Sequence, residues 1–300
     1  MAGIHVGCVP ITWGKWRREA PEAWPEERIL QEVAQAGYEG VSAGPRADRT
    51  PEETLALYAR HGLKPAPGYL GADFWDPDAQ PKIIEQGKRH AAFARAVGLT
   101  ELFVAPQGGN YVTKSGKTRW QLAGHVGPED GLTDEEWGRM AECLNALGEA
   151  TLAEAGVRIC FHNHVGMAVE TRAEMDRLLA ATDPDLVFLG PDTGHLAWAG
   201  ADVVQFYRDY APRIKSMHLK DVNAEVRDRG AAAGWGYNAF TDNGVFAELG
   251  EGCIDFPALF QILGEVGFSG WVEAETDVTQ KSSALESVTI SRDYLRNIGV

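Results

Sequence analysis

The stretch LVFLGPDTGHLAWAGADVVQFYRDYAPRIKSMHLKD, residues 186–221, contains one complete unit of the chain's organisation. The apolar run 186–192 reads as a buried strand, 201–211 carries apolar residues at helical spacing, and 214–221 reads as the next strand. Both strands end in groups that a plain turn does not need: Asp192 with His195 three positions on, then His218 with Lys220. The same alternation extends outward in both directions. Further strands are expected at 4–13, 39–44, 64–70, 101–106, 157–164 and 270–276. Helices are expected at 25–36, 51–61, 79–97, 133–155, 171–181, 257–266 and 281–297. Thr50 and Thr133, each ahead of first-turn acids, are N-cap signals; Gly37, Gly62, Gly98 and Gly156 stand where helices end in a left-handed residue.

Eight strand–helix units in 300 residues predict an α/β fold, a (β/α)8 TIM barrel, with 1–300 as a single domain. A doubly wound sheet would want a glycine-rich phosphate loop after the first strand, and PITWGKW (10–16) is not one. Two long connections, 107–132 and 222–256, are rich in glycine and polar residues and both follow strands. At the C-terminal face of a barrel such loops build or cover the active site.

Composition narrows the function. Hydrophobic residues are 44% of the chain and charged residues 24%, ordinary for a soluble globular enzyme. The formal net charge of -15 repels phosphate backbones, which argues against nucleic acid or anionic membrane as partner and suits a cation. Cys8, Cys143, Cys160 and Cys253 form no CxxC pair and read as reduced thiols of a cytoplasmic protein. MAGIHVGCVPITW lacks the basic flank and long apolar core of a signal peptide, and no apolar run is long enough to span a membrane.

In a barrel, side chains at the C-terminal strand ends converge on one mouth. The fifth strand ends FHNH, placing His162 and His164 on one face; the sixth ends in Asp192, with His195 in the following turn. On the seventh His218 and Lys220 share a face, and on the eighth Glu273 and Glu275 do. Imidazoles and carboxylates at four consecutive strand ends, with no thiolate among them, point to a divalent cation: Mn²⁺, Co²⁺, Fe²⁺, Zn²⁺ or Mg²⁺. Plainer roles compete at single positions. Asp192 is also a helix N-cap candidate, Glu170 a first-turn acid, Asp221 a cap or pairing residue, and Trp13, Trp198 and Trp235 core or lid aromatics.

These motifs resemble the xylose-isomerase-like barrel superfamily of sugar isomerases, ketose epimerases and the endonuclease IV group. Within it they are most similar to the inosose dehydratase group. The likeness runs through PITW, LQEVAQAGYEG, LTDEEW, HNHVGMAVET, DTGHLAWAG, HLKDV, GVFAELGEGCIDFPALF and WVEAETD. The resemblance implies metal-dependent dehydration of 2-keto-myo-inositol to a trihydroxycyclohexane-dione, with a sugar isomerase or epimerase as the alternative. It implies Mn²⁺ or Co²⁺ first, a small polyol or keto-sugar substrate, and a homo-oligomer, dimer or tetramer. Its four metal positions fall on Asp192, His218, His164 at the fifth strand, and either Glu275 or Glu273 at the eighth. Ser42 departs from the glutamate that relatives often carry after the second strand. For the elimination, His195 and Lys220 are acid–base candidates, with Glu170 a third, and a lysine beside a metal is expected to have a lowered pKa. His162, Asn163, Gln107 and Trp13 are candidate substrate contacts.

Overall fold

A computed structural model describes residues 3–300. Its strands are β1 (Ile4–Cys8), β2 (Gly40–Ser42), β3 (Lys64–Ala66), β4 (Tyr69–Ala72), β5 (Glu101–Pro106), β6 (Arg158–Phe161), β7 (Val187–Leu189), β8 (Met217–Leu219), β9 (Asp221–Val222), β10 (Phe246–Ala247) and β11 (Gly270–Ala274). One parallel sheet runs β3-β2-β1-β11-β8 and a second runs β4-β5-β6-β7. Parallel bridges Leu189–Ile214 and Asp192–His218 join β7 to β8, and β3 and β4 are two halves of one stave. The result is a closed TIM barrel with helices between successive staves. Thr50, Thr133 and Thr171 each open a helix with a full capping box, the glutamate three residues on bonding back to the cap.

The third stave breaks at Pro67-Gly68. Proline offers no N–H to a ladder, and at Gly68 a side-chain carbon would overlap the Ala43 carbonyl oxygen. The stave therefore serves two neighbours in turn: Ala43 N–H donates to Ala66 O at 3.1 Å, and Phe103 N–H to Gly68 O at 2.9 Å. Gly68→Val should lower stability by about 1–3 kcal/mol through this overlap; an unchanged thermal midpoint would contradict the close approach.

Three expectations are corrected. The first strand does not run to residue 13. Pro10 ends it, and Pro10–Trp13 is a 3₁₀ turn that buries Trp13 in the core, its indole N–H donating to Glu32 at 2.8 Å. The seventh strand stops at Leu219; Asp221–Val222 leave the barrel and pair antiparallel with Phe246–Ala247. The 222–256 connection also holds two helices, Ala224–Ala233 and Tyr237–Asp242. Its glycines hid them. Gly230 is an interior helix residue because Phe240 and Trp235 pack where its side chain would be. No helix among the described residues is long and apolar enough to cross a membrane.

Candidate active site

Beyond β7 the chain continues to Asp192, whose backbone is fixed by one side chain. Asp192 N–H donates to Asn163 Oδ1 at 3.0 Å, and Asn163 Nδ2 donates to Asp192 O at 3.4 Å. Asn163 thus positions Asp192 rather than facing the site cavity. Asp192 Oδ1 caps the short helix Thr193–Trp198, accepting from His195 N–H at 2.8 Å, while Oδ2 meets Lys220 Nζ at 2.9 Å. Both readings of Asp192 hold at once, one oxygen for each. The glycine of the DTGH turn has its own cause: a side chain at Gly194 would overlap Lys220 Cβ. Thr193 completes the joint, its Oγ accepting from Lys220 N–H at 3.0 Å and donating to Lys220 O at 2.7 Å.

His162, Asp192 and His218 bring ligand atoms within 4.8 Å of one another, all three residues buried. Glu275 Oε2 lies 2.6 Å from His218 Nδ1. His162 Nδ1 is buried with no hydrogen-bond partner, whereas Glu275 Oε2 faces both His218 Nδ1 and Lys220 Nζ. Buried polar atoms are normally paired, so an unpartnered imidazole nitrogen beside Asp192 and His218 fits a donor aimed at a cation. Two imidazoles with two carboxylates suit a divalent first-row ion. A second group, His164, His195 and Asp277, also meets within 4.8 Å. Lys220 Nζ lies between the two groups, 2.9 Å from Asp192 Oδ2 and 3.0 Å from Glu275 Oε2 on one side, 3.1 Å from Asp277 Oδ1 and 3.4 Å from His195 Nε2 on the other. In the first group it is His162, not His164, that meets Asp192 and His218.

Lys220 is buried against three carboxylates, Asp192, Glu275 at 3.0 Å and Asp277. Burial alone would lower its pKa, but those carboxylates outweigh it and hold the amine well above the ordinary lysine range. Without a bound cation the site thus holds Lys220 as an ammonium. Burial pushes His162 and His195 well below the usual histidine range and brings His164 to about 4. Burial opposes charge on His218 too, but the Glu275 carboxylate beside it wins and its pKa rises. Glu273 is driven up to about 7 by burial; it accepts from Ser42 Oγ at 2.6 Å and does not line the site cavity.

That cavity, about 290 Å³, is lined by His162, His164, His218, Lys220, Glu275 and Asp277, with Tyr69 and Ser42 at its side. His195 lies behind Lys220 and does not line it. Glu170 is spent elsewhere: Gly124 N–H donates to Oε1 at 2.8 Å and Gly166 N–H to Oε2 at 2.6 Å, so it ties the 107–132 loop to the turn after β6. Gln107 lines a neighbouring cavity, and Trp13 is in the core. Asp221 anchors the other long loop, accepting from Val222, Gly250, Gly252 and Ile254 N–H groups at 2.9–3.1 Å. Asp221→Ala should cost about 1–3 kcal/mol for the unpaired donors left behind and speed proteolysis in 245–255; undiminished protection there would refute the anchor.

Sequence reasoning missed Asp277 and Tyr237. The signal for Asp277 was the alternation Glu273, Glu275, Asp277, which continues the inward face past the end of β11. Tyr237, from the 222–256 connection, donates its hydroxyl to Asp277 Oδ2 at 3.2 Å and stacks on Trp120 of the 107–132 loop at 3.8 Å. Both long loops therefore reach the site.

Residues 30–298 match the family model described as xylose isomerase-like TIM barrel. Inosose dehydratase of Lacticaseibacillus casei is 33% identical over 297 residues, covering 97% of this chain and 96% of that protein. Inosose dehydratase of Geobacillus thermodenitrificans is 31% identical over 298 residues, covering 98% and 96%. Among solved structures, IOLI protein with a bound zinc atom superposes with a TM-score of 0.67 at 18% identity, over 98% of this chain and 97% of that one, a likeness of fold. With that match across nearly its whole length, the chain belongs to the xylose isomerase-like TIM barrel family.

Proposed function

We propose that this chain is a hydro-lyase that removes water from 2-keto-myo-inositol to give a trihydroxycyclohexane-dione. The observation that carries the reading is the buried set His162, Asp192, His218 and Glu275 beside an ammonium, in a chain a third identical to proteins named inosose dehydratase. A divalent ion held by those four residues, Mn²⁺ or Co²⁺, would supply Lewis acidity at the ketone oxygen. The protein's own groups carry the protons. Asp277 faces the cavity and takes the proton from the carbon next to the ketone. That C–H electron pair becomes a C=C bond, and the neighbouring C–O bond breaks. Lys220 gives a proton to the departing hydroxyl, which leaves as water. The proton on Asp277 then returns to Lys220 across their 3.1 Å contact, restoring both groups. The hydroxy-enone formed is the enol of a 1,2-dione and ketonises to it. His195, Asn163 and Tyr237 position these groups from behind. The reading treats the whole chain as one catalytic domain in a cytoplasmic setting, which the four unpaired cysteines support.

The test is incubation of Mn²⁺- or Co²⁺-loaded protein with 2-keto-myo-inositol, following dione formation by absorbance and mass. Loss of one water is the expected result. Turnover of fructose or tagatose with none of the inosose would overturn the reading in favour of a ketose isomerase or epimerase.

A further inference from the structure

The site cavity is sized for a single polyol ring, at about 290 Å³. Beside it lies a larger cavity of about 620 Å³ that the proposed reaction leaves unused. Trp75 and Trp120 form walls of it, and the exposed Asp73 and Asn110 and the half-buried Gln107 line it with side chains that bond no other described residue and are free to bond a ligand. Glycines set the rings. A side chain at Gly108 would press on Trp75, and one at Gly109 or Gly166 on Trp120. The two cavities share no lining residue but adjoin where Gln107 of one and Tyr69 of the other both pack at Gly71. Trp120 stacks on Tyr237, which bonds Asp277.

Indole faces take the C–H face of a sugar ring, and unpaired amides and a carboxylate take its hydroxyls. The Asp73 charge, in a chain of net charge -15, repels a phosphate or carboxylate in the same place. The geometry points to a second-ring subsite for an uncharged pyranosyl group joined to the reacting ring, so that the substrate class includes glycosylated keto-cyclitols. The identity of the reacting ring rests on the function proposed above; the subsite itself does not.

The test uses the full-length, Mn²⁺-loaded protein and three probes: myo-inositol, methyl α-D-galactopyranoside and galactosyl-myo-inositol. Each is measured by calorimetry and as an inhibitor of inosose turnover. The two-ring probe should bind at least about tenfold more tightly than either single ring, because its second contact is intramolecular. Asp73→Ala with Asn110→Ala should shrink that advantage at least about fivefold, and Trp75→Ala should do the same. A two-ring probe no tighter than myo-inositol, or an advantage that survives both variants, would mean a water-filled recess and end the proposal. Calorimetry separates the two claims. A two-ring advantage without inosose turnover keeps the subsite and removes the reaction; turnover without an advantage does the reverse.

Discussion

Asp192→Ala will abolish both metal binding and dehydration. Asp192 is fully buried; Oδ1 caps the following helix, Oδ2 meets Lys220, and one of the carboxylate oxygens lies within 4.8 Å of His162 and His218 nitrogens. Outer-shell changes around metal sites already cost about 10–100-fold in affinity, so losing a ligand costs at least about 100-fold. The alanine also removes a helix cap worth about 1 kcal/mol and takes one carboxylate from Lys220. Asp192→Asn separates these effects. The amide oxygen can still cap, so the variant should stay folded by circular dichroism and still fail to hold Mn²⁺ in equilibrium dialysis. Full Mn²⁺ occupancy with full activity in either variant would remove Asp192 from the ligand set.

Lys220→Met should give the opposite split. Lys220 touches Asp192, Glu275, Asp277 and His195 but is not itself a metal donor. Its loss should lower kcat by about 10²–10⁴-fold, the span of a positioned proton donor. Three carboxylates lose their counter-charge, so stability falls as well, by about 3–5 kcal/mol for a broken buried pair. Metal loading offsets part of that loss by neutralising Asp192 and Glu275. The variant should therefore bind at least one Mn²⁺ per chain and melt higher with the ion than without it. A folded, metal-loaded Lys220→Met that turns over inosose at the parent rate would contradict the proton-donor role.

The contrast between these two residues shows what was legible in the sequence. Strand alternation with N-cap threonines gave the barrel, and the motif DTGH placed Asp192 and His195 at a strand end. Helical spacing and β-alternation report direction well, and for that reason Glu275, His218 and Lys220 were visible as inward groups. Depth is not encoded in a two-residue period. His162 and His164 lie on the same face of the extended chain, as do Glu273 and Glu275, and only the pairing of β6 with its neighbours decides which member reaches the shared point. β6 ends at Phe161, and His164 N–H already bonds Val169 O in the next turn, which moves His164 to the lysine side. Glu273 pairs in register with His218 and Gly7, below the mouth, where Ser42 holds it. The residues from the loops, Tyr237 and Trp120, were illegible for a different reason. Tyr237 meets Asp277 and Trp120 stacks on Tyr237 only in the folded chain, where Asp221 and Glu170 tie the two loops down through backbone groups far along the chain.

The central claim is that a divalent ion sits among His162, Asp192, His218 and Glu275, with Lys220 taking the neighbouring place of a second cation. Anomalous diffraction from crystals grown with Mn²⁺ tests it in a single measurement. The account predicts one strong peak within about 2.0–2.3 Å of nitrogen or oxygen atoms of those four residues. A peak held by His164, His195 and Asp277 instead, with the Lys220 amine displaced, would contradict it.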